Sequence, residues 1–167
     1  MMNRTFAAAV LLSALVTGAN AQSVPRWDRG AIDLYMNSIT SDGAPGIWAV
    51  KDSNGASILY LAKPMNNARV KAMVDSLNAA KGDNPKMAYL KTECGTVFVK
   101  VIDSDLLTER MGTTGAESYL AAATYSFTSL QGIARVHFDF EEGDHASPGT
   151  YMRLNFFHFW PIWHEPK

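Results

Sequence analysis

Four carboxylates and an imidazole fall within seven positions of this chain, at Asp139, Glu141, Glu142, Asp144 and His145. Such an oxygen-rich stretch can bind calcium, but the regular ligand spacing and the closing bidentate Glu of an EF-hand are missing. Zinc would need three or four convergent N, S or O ligands, and no His-x-x-x-His pair begins such a site. The stretch is read as a solvated hairpin loop. Neither a metal nor a cofactor is expected.

A second set of reactive side chains needs a fold to assemble it. If the last two strands pair, His137 and Asp139 come beside Tyr151, Arg153 and Asn155 on one sheet face. His, Asp, Tyr and Arg can do general acid-base work where a pocket encloses them. Alternating polar residues are also what a half-solvated antiparallel sheet requires. The set is therefore read as a binding surface, with no residue assigned as catalytic. Its rival is a small extracytoplasmic hydrolase using His137 and Asp139. No Gly-x-Ser-x-Gly and no Gly-Lys-Ser/Thr phosphate loop occurs. Cys94 is the single cysteine. With no adjacent positive charge to activate it, it is expected to be buried and inert.

The C-terminal stretch from Phe157 to His164 is strongly aromatic. Phe159, Trp160, Ile162 and Trp163 can cover an edge of the core or form an exposed contact patch. Pro161 holds the preceding residue extended. Trp160 is therefore assigned to packing and Trp163 to contact, and both join the candidate binding residues.

The elements that must position these groups follow from pattern. Ile47 to Lys51 and Ser57 to Ala62 flank Asn54-Gly55 and predict a β-hairpin. Pro64 opens a helical pattern with Val70, Met73, Val74 and Leu77 on one stripe. Met87 to Leu90 and Thr96 to Ile102 predict strands, the latter with Val97, Val99 and Val101 on one face. Leu106 and Leu107 suit a helical turn. Thr114 and Glu117 have capping-box spacing and predict a helix start. Its stripe is Ala116, Leu120, Ala123, Phe127 and Leu130, and Gly132 ends it. Ile133 to Phe140 and Tyr151 to Phe157 predict two further strands, the first with Val136 and Phe138 inward and the second with Met152, Leu154 and Phe156 inward. The expected fold is a single α/β (α+β) domain, with two main helices packed on one face of an antiparallel or mixed sheet.

The order of hairpin, helix, strand, helix and strand resembles a GerMN domain, the module named after spore-germination and sporulation proteins. Gly95-Thr96-Val97-Phe98-Val99-Lys100-Val101, followed by Ser104 to Leu107, carries most of the resemblance. The helix from Glu117 to Leu130, running through Gln131-Gly132-Ile133 into Val136-His137-Phe138-Asp139, adds to it. The similarity covers roughly Gly46 to Gly143. It implies an extracytoplasmic α/β module without an established catalytic centre, serving interaction or assembly in the cell envelope. Members of that family are commonly tethered to a membrane, whereas this chain has no lipid-acceptor cysteine after its leader.

The N-terminus supplies the compartment. Arg4, an apolar run from Phe6 to Val16 and the small-residue sequence Ala19-Asn20-Ala21 have the order of a cleavable signal peptide. The expected organisation is a signal at 1–21, a helix and linker at 22–45, the GerMN-like domain at 46–157 and the aromatic tail at 158–167. The product is expected to be periplasmic or secreted, with no transmembrane segment. The full chain carries 15 Lys and Arg against 16 Asp and Glu, and the leader takes only Arg4. That balance gives no electrostatic reason for a nucleic-acid partner. A protein or cell-wall component of the envelope is the expected partner.

Overall fold

A computed structural model of the chain describes residues 45–53, 56–80 and 82–162. The expected signal peptide, the helix expected between Val24 and Thr40, the Asn54-Gly55 pair and Trp163 lie outside the described residues.

Strand β1 (Gly46–Ser53) and β2 (Ala56–Pro64) form the predicted antiparallel hairpin, in register at Ala49 with Tyr60 and Val50 with Leu59. Trp48 and Leu59 are buried on its inner side. Helix α1 (Val70–Asn78) follows. It starts at Val70 and not at Pro64, because β2 continues through Pro64 to pair with Gly46; strand pairing there outweighs the helical pattern. Met73 and Val74 are its buried residues.

Strands β3 (Met87–Glu93), β4 (Thr96–Val101), β5 (Arg135–Asp139) and β6 (Gly149–Tyr151) make a second, mixed sheet in that order. β4 and β5 are parallel, so the chain must cross over between them. A π-helical turn (Leu106–Arg110) and helix α2 (Gly112–Thr128) make that crossing. Val97, Val99, Val101, Val136 and Phe138 bury one face of the sheet in the same core as Leu120 and Phe127, as their alternation predicts. The domain is α+β with two main helices, and its strands divide between two sheets. β7 (Trp160–Ile162) completes the first sheet, lying parallel to β2 at Ile58, Leu59 and Tyr60. No helix among the described residues is long and apolar enough to cross a membrane.

Three further expectations change. Helix α2 begins at Gly112, after the N-cap Met111, with no side-chain cap. The π-helical turn leads almost directly into it, so the Thr114–Glu117 capping box does not form. Gly132 does not end the helix: it stops at Thr128 with the right-handed Ser129 as C-cap, and Gly132, at φ +80°, sits in the following turn closed by the Ile133 N–H to the Leu130 carbonyl. The second change is Cys94, which is exposed. Glu93 pairs with Thr96, which leaves Cys94 (φ +48°) and Gly95 (φ +72°) as a two-residue hairpin loop. Such loops need positive φ at both positions and project into solvent.

The third is the strand expected from Tyr151 to Phe157. β6 ends at Tyr151, and Arg153–Phe156 is a 3₁₀ turn. The Met152 N–H donates to Asn155 Oδ1 at 2.9 Å, a local side-chain bond that competes with the sheet ladder. The three-residue period puts Arg153 and Phe156 on one side, and both are buried.

Candidate functional site

The outer face of the second sheet is organised by register. Lys91 lies opposite Phe98, Phe98 opposite His137, and His137 opposite Thr150, so one row crosses all four strands. Lys91 Nζ sits 4.7 Å from the Phe98 ring centre, within cation–π range. The His137 ring packs on the other side of Phe98, with centroids 5.2 Å apart. His137 Nδ1 and Thr150 Oγ1 share a hydrogen bond of 2.9 Å. Lys91 also bridges Glu93 at 2.6 Å. This bond and the ammonium charge hold the Glu93 carboxyl below the usual range.

Flanking rows carry Arg135 beside Thr96, and Lys100 beside Asp139. Lys91, Lys100, Arg135 and Asp139 are exposed, while Phe98 and His137 are half-buried. The result is a broad open face with an aromatic side chain near its middle. Ile102 extends it, 66% exposed.

Of the candidate residues, His137 and Asp139 lie on this face, as expected. Tyr151 does not. It sits opposite Val136, one residue out of the register that would place it beside His137, and period-two alternation turns it inward. Its ring meets the edge of Phe138 and stacks on Phe156, each at 5.8 Å, and burial raises its hydroxyl pKa. Arg153 does not reach the face either, being 3% exposed. The 3₁₀ turn carries it beneath α2, where its Nε donates to Thr128 Oγ1 at 2.6 Å. Asn155 is exposed and caps its own turn. Trp160 contributes backbone to β7. Phe159 beside it is buried and Phe157 is exposed. The described part of the tail thus serves partly as a sheet strand.

Tyr151 and Asn155 line another feature, a cleft of about 440 Å³ between α2, the β5–β6 loop and the 3₁₀ turn. Glu117, His145 and Asp144 stand on its walls, with Leu120 and Phe156 as apolar lining. Much of its polar chemistry serves local structure. His145 Nδ1 pairs with Thr113 Oγ1 at 3.1 Å, Ser147 donates to Glu142 at 2.7 Å, and the Asp144 N–H donates to Glu109. Glu117 is paired with His158 at 3.1 Å. Among the described residues no group of three or more His, Cys, Asp or Glu side chains is placed to hold a metal ion. A groove of about 620 Å³, bordered by Val50, Leu77, Met111, Tyr119 and Ala122, separates β1 from the first half of α2.

Phe98 and Thr150 were missed as site residues. The alternation of β4 already set Phe98 on the side opposite the valines. Thr150 becomes visible only with the true β5–β6 register. Comparison of the chain with family models, with curated proteins and with solved structures finds no match in any of the three.

Proposed function

We propose that this chain is an exported, non-enzymatic module of the cell envelope or secreted space that binds a protein or cell-wall partner through the outer face of its second sheet. The observation that carries the reading is the cross-strand row in which Lys91 and His137 flank a half-exposed Phe98. An aromatic centre with a polar rim is the usual anatomy of a recognition surface, because the ring supplies apolar area and the rim supplies orientation. The resemblance to GerMN modules points to the same kind of role. A hydrolase using His137 and Asp139 would need a pocket that gathers both around a substrate and excludes water. Asp139 is instead exposed, opposite Lys100 in the register. The test is a pull-down from envelope extract with the chain as bait, comparing wild type with a variant altered only on this face. Loss of a captured partner in that variant alone supports the reading.

A further inference from the structure

Helix α2 closes only part of the free edge of β1. Along a strand, every second residue sends its backbone N–H and C=O to the same side. The N–H groups of Gly46 and Trp48 point away from β2, and Ser129 and Ser126 of α2 accept them. The same alternation turns the N–H and C=O of Val50 and Asp52 outward, in line with those two. Among the described strands β1 pairs with β2 alone, and no described residue takes up these four groups.

Beside them runs the groove of about 620 Å³, with Val50 and Asp52 on its strand wall and Ser118, Tyr119 and Ala122 on its helix wall. Its volume is in the range of ligand sites, roughly 300–1,000 Å³. Asp52 is the one charged residue among those lining it. It is exposed, and no described residue forms an ion pair with it. Its Oδ1 accepts the Ser57 hydroxyl at 2.8 Å, which leaves Oδ2 for a ligand.

Outward N–H and C=O groups alternating along a strand edge match another extended peptide backbone. An added strand turns every second side chain toward the groove. Val50, Leu77 and Ala122 offer an apolar lining there. The neighbouring side chain on that face, two residues along, meets Asp52, where the complementary charge is positive. A second copy of this chain is a poor guest, because its own β1 carries α2 on the edge that would have to pair.

We infer that the Val50 to Asp52 edge and its groove bind an extended peptide segment of a partner protein by strand addition. An apolar residue of the guest enters the groove, and a Lys or Arg two positions along pairs with Asp52. The site belongs to the first sheet and does not rest on the binding role of the second.

The probe is a terminally blocked peptide, Thr-Thr-Val-Thr-Lys-Thr-Thr, titrated into isotope-labelled protein and followed by NMR. The Val50 and Asp52 amide resonances are expected to move and to gain protection from hydrogen exchange. Glu in place of the peptide's Lys weakens binding about threefold or more. Val50→Pro removes one outward N–H and spares the β2 ladder, as proline on an edge strand can, and it lowers affinity about tenfold. Because that variant can fail to fold, Ala122→Leu is the second: it keeps a good helix former, fills the groove, and lowers affinity about tenfold or more. The inference is overturned by any of four results: no response at about 1 mM peptide, responses confined to the second sheet, equal affinity for the Lys and Glu peptides, or undiminished binding by folded Ala122→Leu. Dimerisation of the peptide-free protein through β1 would assign the edge to a second copy and overturn it as well.

Discussion

The backbone N–H of Trp48 donates to Ser126 Oγ across 2.9 Å, and this bond joins the outer edge of β1 to helix α2. The same hydroxyl donates to the Ala122 carbonyl at 2.7 Å, so it is used in both directions. Ser129 repeats the arrangement three residues on, accepting the Gly46 N–H at 3.0 Å. β1 is an edge strand, and the helix closes part of an edge that would otherwise invite another chain.

Ser126→Ala removes the acceptor from a buried N–H, and the expected loss of stability is about 1–3 kcal/mol. Urea unfolding should show a lower midpoint with an unchanged slope. Ser129→Ala, at a partly buried bond, should cost less. Equal effects of the two variants would argue against the burial difference as the deciding factor.

Gly46 is fixed by close approach. A Cβ there would lie 2.5 Å from both Leu61 Cδ1 and the Lys63 carbonyl oxygen. The leucine methyl can swing away, but the carbonyl belongs to the paired strand and cannot. Gly46→Ala should therefore destabilise by about 1–3 kcal/mol through overpacking, read by equilibrium unfolding. A neutral result would mean that the hairpin shifts its register irregularity, now between Ile47 and Trp48, to make room.

Burial raises the Tyr119 hydroxyl well above its ordinary value, and that hydroxyl donates to the Pro85 carbonyl at 3.0 Å. Because the folded pKa exceeds the unfolded one, the folded state holds its proton more tightly. The contribution is complete below the unfolded value of about 10 and is lost as pH rises toward the folded one. Unfolding free energy should fall as pH rises from about 9 to about 11. Tyr119→Phe should flatten that fall while costing about 1 kcal/mol at neutral pH for the lost hydrogen bond. An undiminished alkaline slope in the variant would assign the effect to the other raised tyrosines, Tyr125 and Tyr151.

Cys94 occupies a hairpin position with φ +48°, where a side chain is tolerated best when it is Asn. Cys94→Asn should stabilise the protein by a few tenths of a kcal/mol, up to about 1. Alkylation of the native protein should proceed as for an exposed thiol, without unfolding. Protection from alkylation would restore the buried assignment.

What the sequence disclosed depended on how strongly one interaction dominated locally. The valines of β4 and the Val136 and Phe138 face of β5 were legible because burial on one side enforces a period of two. The stripe of α2 was legible for the same reason at helical period, although Ala121, Tyr125 and Ser126 are buried as well. Short polar signals misled. Thr114 and Glu117 had capping spacing, yet the helix had already begun. In the last part of the chain, Asn155 and the 3₁₀ turn displaced a plausible alternation and carried Arg153 into the interior. The candidate face was half visible: His137 and Asp139 lie on it, while the partners opposite them depend on a register that no local pattern specifies. Division of the strands into two sheets was equally hidden, because β7 meets β2 across about a hundred residues of chain.

The central claim is that the outer sheet face binds a partner, and Phe98 is the residue whose removal tests it most directly. Phe98→Thr keeps a strong strand former at a half-buried position and should leave the melting temperature within a few degrees of wild type. Titration of the partner captured by the wild-type chain should show affinity reduced about tenfold or more in this variant. A matched change elsewhere, Lys63→Ala on the exposed end of β2, should leave affinity unchanged. Undiminished binding by a folded Phe98→Thr protein would contradict the account.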